Sequence, residues 1–253
     1  MANRLYALLA GIDRYANPHQ APHLRGCVAD VQGTYALLTG RFGLPPAQIR
    51  LLTARLDQSE PAADRATRAN ILHAWQEHLA QAQGGDVSQA RTGDPADATG
   101  YEATLVPHDS RTPGVFDLTG RELAALVRRV EQNGAQVILW LDCGRLPRDP
   151  RHGGSAIGVR GCTADDRLRP RAAWLPGADA FPPSAGRATP SGWLPLGDHL
   201  LLAACRAGEA SYELAAPGIE PLAGAERWQG ALSYFVHQTL AAAAPETPWA
   251  QLH

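Results

Sequence analysis

Residues 137–144 read Val-Ile-Leu-Trp-Leu-Asp-Cys-Gly, and no other stretch limits the fold as tightly. Five consecutive apolar residues between the turn signal Asn133-Gly134 and the polar Asp142 are too few for an ordinary helix and leave no face for water. They therefore read as a strand covered on both sides, the kind found in parallel sheets between helices. The strand runs out into Asp142-Cys143-Gly144, which places a thiol at a sheet edge, where a nucleophile would be exposed.

The rest of the chain repeats the theme. Residues 5–10, 49–52 and 199–204 are further apolar runs of strand length. Between the first two, Val31, Tyr35, Leu38 and Phe42 form a helical stripe that Gly43, Pro45 and Pro46 close, giving a βαβ unit. Thr67 is placed to cap a second helix with the stripe Ile71, Trp75, Leu79 and Ala82, ended by Gly84-Gly85. Thr119-Gly120-Arg121-Glu122 is a capping box ahead of the apolar face Leu123, Leu126, Val127 and Val130. Trp228, Leu232, Phe235 and Thr239 mark a last helix. Strands alternating with amphipathic helices predict a three-layer α/β/α sandwich around a mainly parallel sheet.

At 253 residues the chain suits one sizeable domain. Residues 145–197 are rich in Gly, Pro and Arg without periodicity, which predicts a long exposed connection. Its seven arginines from Arg145 to Arg171 leave open a cleavable linker or a solvated loop. Lys and Arg total 23 against 25 Asp and Glu, a net charge of −2, so no basic excess points to nucleic acid or an anionic membrane. The first apolar run is too short to span a bilayer and the start lacks a signal-peptide layout, so a cytoplasmic protein is expected. Cys27, Cys143, Cys162 and Cys205 show no C-x-x-C spacing and read as reduced thiols, Cys205 as a small hydrophobe at a strand end. His19 and His23 have an i, i+4 spacing, but Pro18 and Pro22 oppose a helix and no third ligand is evident, so no metal is expected.

Four segments resemble the caspase and metacaspase clan of cysteine endopeptidases, in the family's order and over nearly the whole chain. They are Tyr6-Ala7-Leu8-Leu9-Ala10-Gly11-Ile12-Asp13-Arg14-Tyr15, Leu24-Arg25-Gly26-Cys27-Val28-Ala29-Asp30-Val31, Ala66-Thr67-Arg68-Ala69-Asn70-Ile71, and Leu200-Leu201-Leu202-Ala203-Ala204-Cys205-Arg206 with Trp228-Gln229-Gly230-Ala231-Leu232. The resemblance implies a caspase-like sandwich with a large-subunit-like part (1–144), the linker (145–197) and a small-subunit-like part (198–253).

The family works with a Cys-His dyad, because a thiol with a pKa near 8.5 needs a base or imidazolium to become nucleophilic at neutral pH. Both halves depart here. Gly85-Asp86-Val87 passes directly to Ser88-Gln89, where relatives carry a central strand and its histidine. That strand is expected to be lost, its place filled by residues 101–106 or closed by direct pairing of its neighbours. Alignment without a gap puts Asp142 on the family aspartate and Gly144 where the nucleophile belongs, so Cys143 falls one residue early and on the opposite face of the strand. His108 is the nearest histidine in sequence that could serve as a replacement base.

The family's acidic pocket for Arg or Lys fares better, since Cys27, Asp30 and Asp142 match its members by position, and paired carboxylates suit a guanidinium fork. A second reading leaves Asp30 as a cap of a helix starting near Val31 and Asp142 as a loop cap. Two functions follow from the resemblance. One is a degenerate domain that binds peptides or proteins through basic residues without cutting them. The other is an endopeptidase cutting after Arg or Lys, with Cys143 as nucleophile and a backbone N–H near Gly144 as oxyanion donor. No cofactor is expected, a calcium dependence being implied by the family resemblance alone, and the oligomeric state is unconstrained.

Overall fold

The computed structural model describes residues 4–83, 87–91, 103–144, 157–180, 199–206, 209–215 and 228–244. In chain order its regular elements are β1 (Leu5–Ile12), α1 (Cys27–Ala36), β2 (Ile49–Ala54), α2 (Arg68–His73), β3 (Val87–Arg91), β4 (Thr104–Leu105), β5 (Leu118–Thr119) and α3 (Gly120–Glu131). Then come β6 (Gln136–Leu141), β7 (Ile157–Val159), β8 (Leu200–Ala203), β9 (Tyr212–Ala215), β10 (Trp228–Gly230) and α4 (Ala231–Ala242).

The main sheet is parallel, in the order β2-β1-β3-β6-β8. Alternation along β1 divides the interior. Tyr6, Leu8, Ala10 and Ile12 enter the larger core with the faces of α2 and α3, whereas Ala7 and Leu9 meet Val31 of α1 on the other side. That is the expected caspase-like α/β/α layering. The cap of α2 is present, with Thr67 Oγ1 accepting from Asn70 N–H at 3.2 Å. So is the capping box of α3, where Thr119 and Glu122 exchange bonds of 3.3 and 3.0 Å. Gly134 turns the chain into β6 at φ 81°, a conformation that favours glycine. The fourth helix is only partly as predicted. Trp228 belongs to β10, and Phe235 is 66% exposed while Ser233 and Leu240 face inward. Among the described residues no helix is long and apolar enough to cross a membrane.

One expectation is overturned. The central strand is not lost, because Val87–Arg91 lies between β1 and β6 in parallel register with both (Leu5↔Val87 and Val87↔Gln136). Neither substitute arises: β4 pairs with β5 in a separate antiparallel ribbon, and β3 keeps β1 and β6 apart. The physical reason is that β1 and β6 would otherwise bury two rows of unpaired backbone groups. A strand supplies those bonds through its main chain whatever its residues, and Ser88, Gln89 and Arg91 gave no apolar signal.

The predicted exposed connection is, over residues 157–180, mostly exposed or half-buried but anchored at a few points. Arg160, Leu175 and Ala178 are buried. Arg167 donates to the carbonyls of Thr112 and Val115, Arg169 to that of Asp117, and the buried Arg111 to that of Thr163. Arginine side chains thus join the burial of Leu175 and Ala178 in holding an aperiodic segment down. Residues 145–156 and 181–198 lie outside the described residues.

Candidate functional site

Three acidic side chains converge where β1 and β6 end and where α1 and α4 begin. Asp13 directly follows β1, and its Oδ1 accepts the N–H groups of Cys27 (2.8 Å) and Val28 (3.3 Å). It thereby caps α1, whose N-cap residue Gly26 has no side chain to do so. The helix starts four residues before Val31, so Asp30 is not its cap. Asp30 lies in the first turn, fully buried, and accepts Gly230 N–H at 3.1 and 3.2 Å. Asp142, directly after β6, accepts the hydroxyl of Ser211 at 3.1 Å, the N–H of Ser233 at 2.9 Å and the Ser233 hydroxyl. It does act as a cap, but of α4 rather than of a loop.

Into this centre projects Arg160, with its side chain 1% exposed. Its Nη2 lies 2.5 Å from Asp30 Oδ2, Nη1 3.2 Å from Asp142 Oδ2, and Nε 3.5 Å from Glu213 Oε2. Glu213 also accepts the N–H groups of Arg25 (3.2 Å) and Gly26 (3.1 Å). Glycines clear the space: a Cβ at Gly26 would come within 2.9 Å of Arg160 Nη2, and one at Gly230 within 2.6 Å of Arg160 Cζ. Burial alone would lower the pKa of Arg160, but the surrounding Cys27, Asp30, Asp142 and Glu213 outweigh it and raise the value further. Among the described residues the cluster holds one guanidinium against three carboxylates. Asp13 beside it is pushed up to about 7, chiefly by burial and further by Glu213, against the N–H bonds of Val28 and Cys27.

The backbone of Arg160 is engaged as fully as its side chain. Its N–H donates to Ser211 O at 2.9 Å and its carbonyl accepts Gly144 N–H at 2.9 Å. The preceding β7 pairs antiparallel with β9, Gly158 opposite Glu213 and Val159 opposite Tyr212. A Cβ at Gly158 would sit 2.7 Å from Glu213 Cγ.

Cys27, Asp30 and Asp142 thus come together around one guanidinium. Of the two residues expected for chemistry, Cys143 borders a cavity beside them and His108 does not. Cys143 packs with Val137, Leu139 and Leu141 in the larger core, on the face of β6 opposite Asp142. Its side is bordered by a cavity of about 50 Å³ that Cys27, Cys162, Asp142 and Arg160 also line, and no described histidine does. His108 is used elsewhere: its Nδ1 is 2.6 Å from Arg14 O, its N–H donates to Ala66 O, its carbonyl accepts Ala16 N–H, and desolvation lowers its pKa. At position 144 there is no room for any side chain, since a Cβ there would overlap Ser211 N and lie 2.9 Å from Cys205 Sγ. Cys205 itself donates to Cys143 O at 3.5 Å, and no disulfide joins the four cysteines. His23 accepts Tyr15 N–H through Nδ1.

Sequence reasoning missed Asp13, Arg160, Ser211, Glu213 and Ser233. Asp13 carried a usable signal, being an acid directly after an apolar strand exactly as Asp142 is. Arg160 carried none, as one of seven arginines in an aperiodic stretch.

Residues 6–145, more than half of the chain, match the family model described as metacaspase, peptidase C14 domain. No functionally curated protein matches. Among solved structures the chain is similar to the crystal structure of protein GSU0716 from Geobacter sulfurreducens, at 16% identity with a TM-score of 0.58, over 99% of this chain and 86% of that one. At that identity the likeness is one of fold. The matched span runs from β1 through the Asp142-Cys143-Gly144 edge, and on it the chain belongs to the metacaspase, peptidase C14, family.

Proposed function

We propose that this domain is a cytoplasmic pseudo-peptidase, a metacaspase-family module that receives basic side chains of a peptide or protein without cutting the chain. The observation that carries the reading is the closure of position 144. An arginyl carbonyl rests on Gly144 N–H at 2.9 Å, with its guanidinium among carboxylates, yet the adjoining position lacks space even for a Cβ. Recognition elements for a basic residue coexist there with no place for a thiol. Cys143 packs in the larger core and borders a cavity that no described imidazole lines. Dyad members act as a unit, so separating them removes most of the rate either supplies.

The second reading, an endopeptidase cutting after Arg or Lys through Cys143, draws on one feature: the Gly144 N–H is already placed as a donor to a carbonyl oxygen. Hydrolysis of fluorogenic peptides ending in Arg, Lys or Asp separates the two, measured for the protein and for Cys143→Ala under reducing conditions, with and without calcium. The pseudo-peptidase reading expects no release above buffer for either protein. Release after Arg that Cys143→Ala abolishes would establish the second reading.

A further inference from the structure

We propose that the cavity between the start of α3 and residues 171–176 is an anion site, and that its ligand is a phosphate monoester carried on an apolar stem. It shares no residue with the acidic centre around Arg160 and suits charge of the opposite sign.

The cavity has a volume of about 410 Å³ and is lined by Arg121, Arg171, Trp174, Leu175 and Pro176. Local structure brings the last four together. Arg171–Ala173 is a single 3₁₀ turn behind Pro170, closed by Ala173 N–H to Pro170 O at 2.9 Å and by Trp174 N–H to Arg171 O at 3.2 Å. Side chains three residues apart on such a turn eclipse one another, so Arg171 and Trp174 face the same side. The wall is then fixed to α3, because Leu175 N–H donates to Glu122 at 2.9 Å and Arg129 donates to Pro176 O at 3.2 Å.

Charge sets the ligand class. The ring of Trp174 carries two guanidiniums, Arg121 at 4.3 Å and Arg169 at 4.6 Å from its centre. Arg169 is paired with Glu122. Arg121, laid against the indole, still donates through the edge of its fork, with its orientation already chosen. Arg171 is exposed, and among the described residues no side-chain hydrogen bond or ion pair engages it. Among the described residues no Asp or Glu lines the cavity. Two forks without a lining carboxylate match an oxyanion of more than one charge and more than two acceptor oxygens. A phosphate monoester supplies about −2 and three oxygens, whereas a carboxylate would neutralise only one of the arginines. Trp174, Leu175 and Pro176 give the carbon stem an apolar wall that inorganic phosphate would leave unused.

The test is calorimetric titration of phenyl phosphate, inorganic phosphate and phenylacetate into the full chain, above the second pKa of the phosphate at about 6. Phenyl phosphate is expected to bind about tenfold more tightly than either of the others. Arg121→Gln and Arg171→Gln should each weaken it by about tenfold, the worth of one charge-assisted hydrogen bond. Since Arg171 holds nothing in place, Arg171→Gln should leave the ligand-free thermal midpoint unchanged, which separates lost binding from lost folding. No binding of phenyl phosphate at millimolar concentration, an affinity unchanged in either variant, or inorganic phosphate bound as tightly as phenyl phosphate would each overturn the proposal. A phosphotyrosine tripeptide with alanine on either side identifies the source. Affinity at least equal to that of phenyl phosphate assigns the site to a phosphorylated side chain of a protein, and weaker binding assigns it to a small phosphate ester.

Discussion

Around Glu122 one buried carboxylate faces two guanidiniums, those of Arg68 and Arg169, each at 2.6 Å; around Arg160 one buried guanidinium faces three carboxylates. Both clusters tie residues 157–180 to the body of the domain, but they relieve their charge excess differently. The surplus at Glu122 reaches water, since the side chains of Arg68 and Arg169 are 18% and 9% exposed. Glu122 is moreover saturated, accepting Leu175 N–H and closing the cap of α3. The surplus at Arg160 is sealed from solvent, and the neighbouring Asp13 carries a raised pKa. A sealed excess of one sign makes the fold depend on its central cation, whereas a vented one can be shared with water.

The sharpest attack on this contrast is Arg160→Ala, which leaves three carboxylates without their cation. It is expected to cost about 3–5 kcal/mol in urea unfolding, the range for breaking a buried ion pair from one side. Glu122→Gln keeps the shape and several hydrogen bonds of its cluster while its arginines retain access to water. A smaller loss of about 1.5–3 kcal/mol is expected, the range for hydrogen bonds to charged groups. If the two variants lose the same stability, the charge imbalance is irrelevant and the contrast fails.

The third prediction concerns protons. Because the value of about 7 for Asp13 lies above its ordinary 3.8, the folded state holds a proton that the unfolded chain releases. This contribution to stability is complete below about pH 4 and is lost as the pH rises through 7, with a slope of up to about 1.4 kcal/mol per pH unit. Urea midpoints of the wild type should therefore carry a falling component between pH 4 and 7 that Asp13→Asn lacks. Identical pH profiles for the two proteins would remove protonation from the account of the Arg160 cluster.

Much of the layered fold was legible because it rests on local periodicity. The apolar runs of β1, β2, β6 and β8, the capped starts of α2 and α3, and the burial of Ile71, Trp75, Leu79 and Ala82 all follow from spacing within a few turns. Strand β3 was illegible because pairing with two neighbours is a main-chain property, and Ser88, Gln89 and Arg91 interrupt any apolar run. The site divided in the same way. Cys27, Asp30 and Asp142 stood in recognisable segments, but Arg160 meets Asp30 across 130 residues of sequence. Nothing local separates Arg160 from the six other arginines between 145 and 171. Phe235 shows the converse failure, an apolar residue in helical register that faces outward.

The glycines at 26, 158 and 230 have a consequence for how such a site changes over generations. Each leaves no room for a Cβ, but against different neighbours: Gly26 meets the Trp228 backbone as well as Arg160, Gly158 meets Glu213, and Gly230 meets Asp142 as well as Arg160. A lineage that lost the arginine would therefore still be held to glycine at 158 by Glu213, at 26 by main chain and at 230 by Asp142.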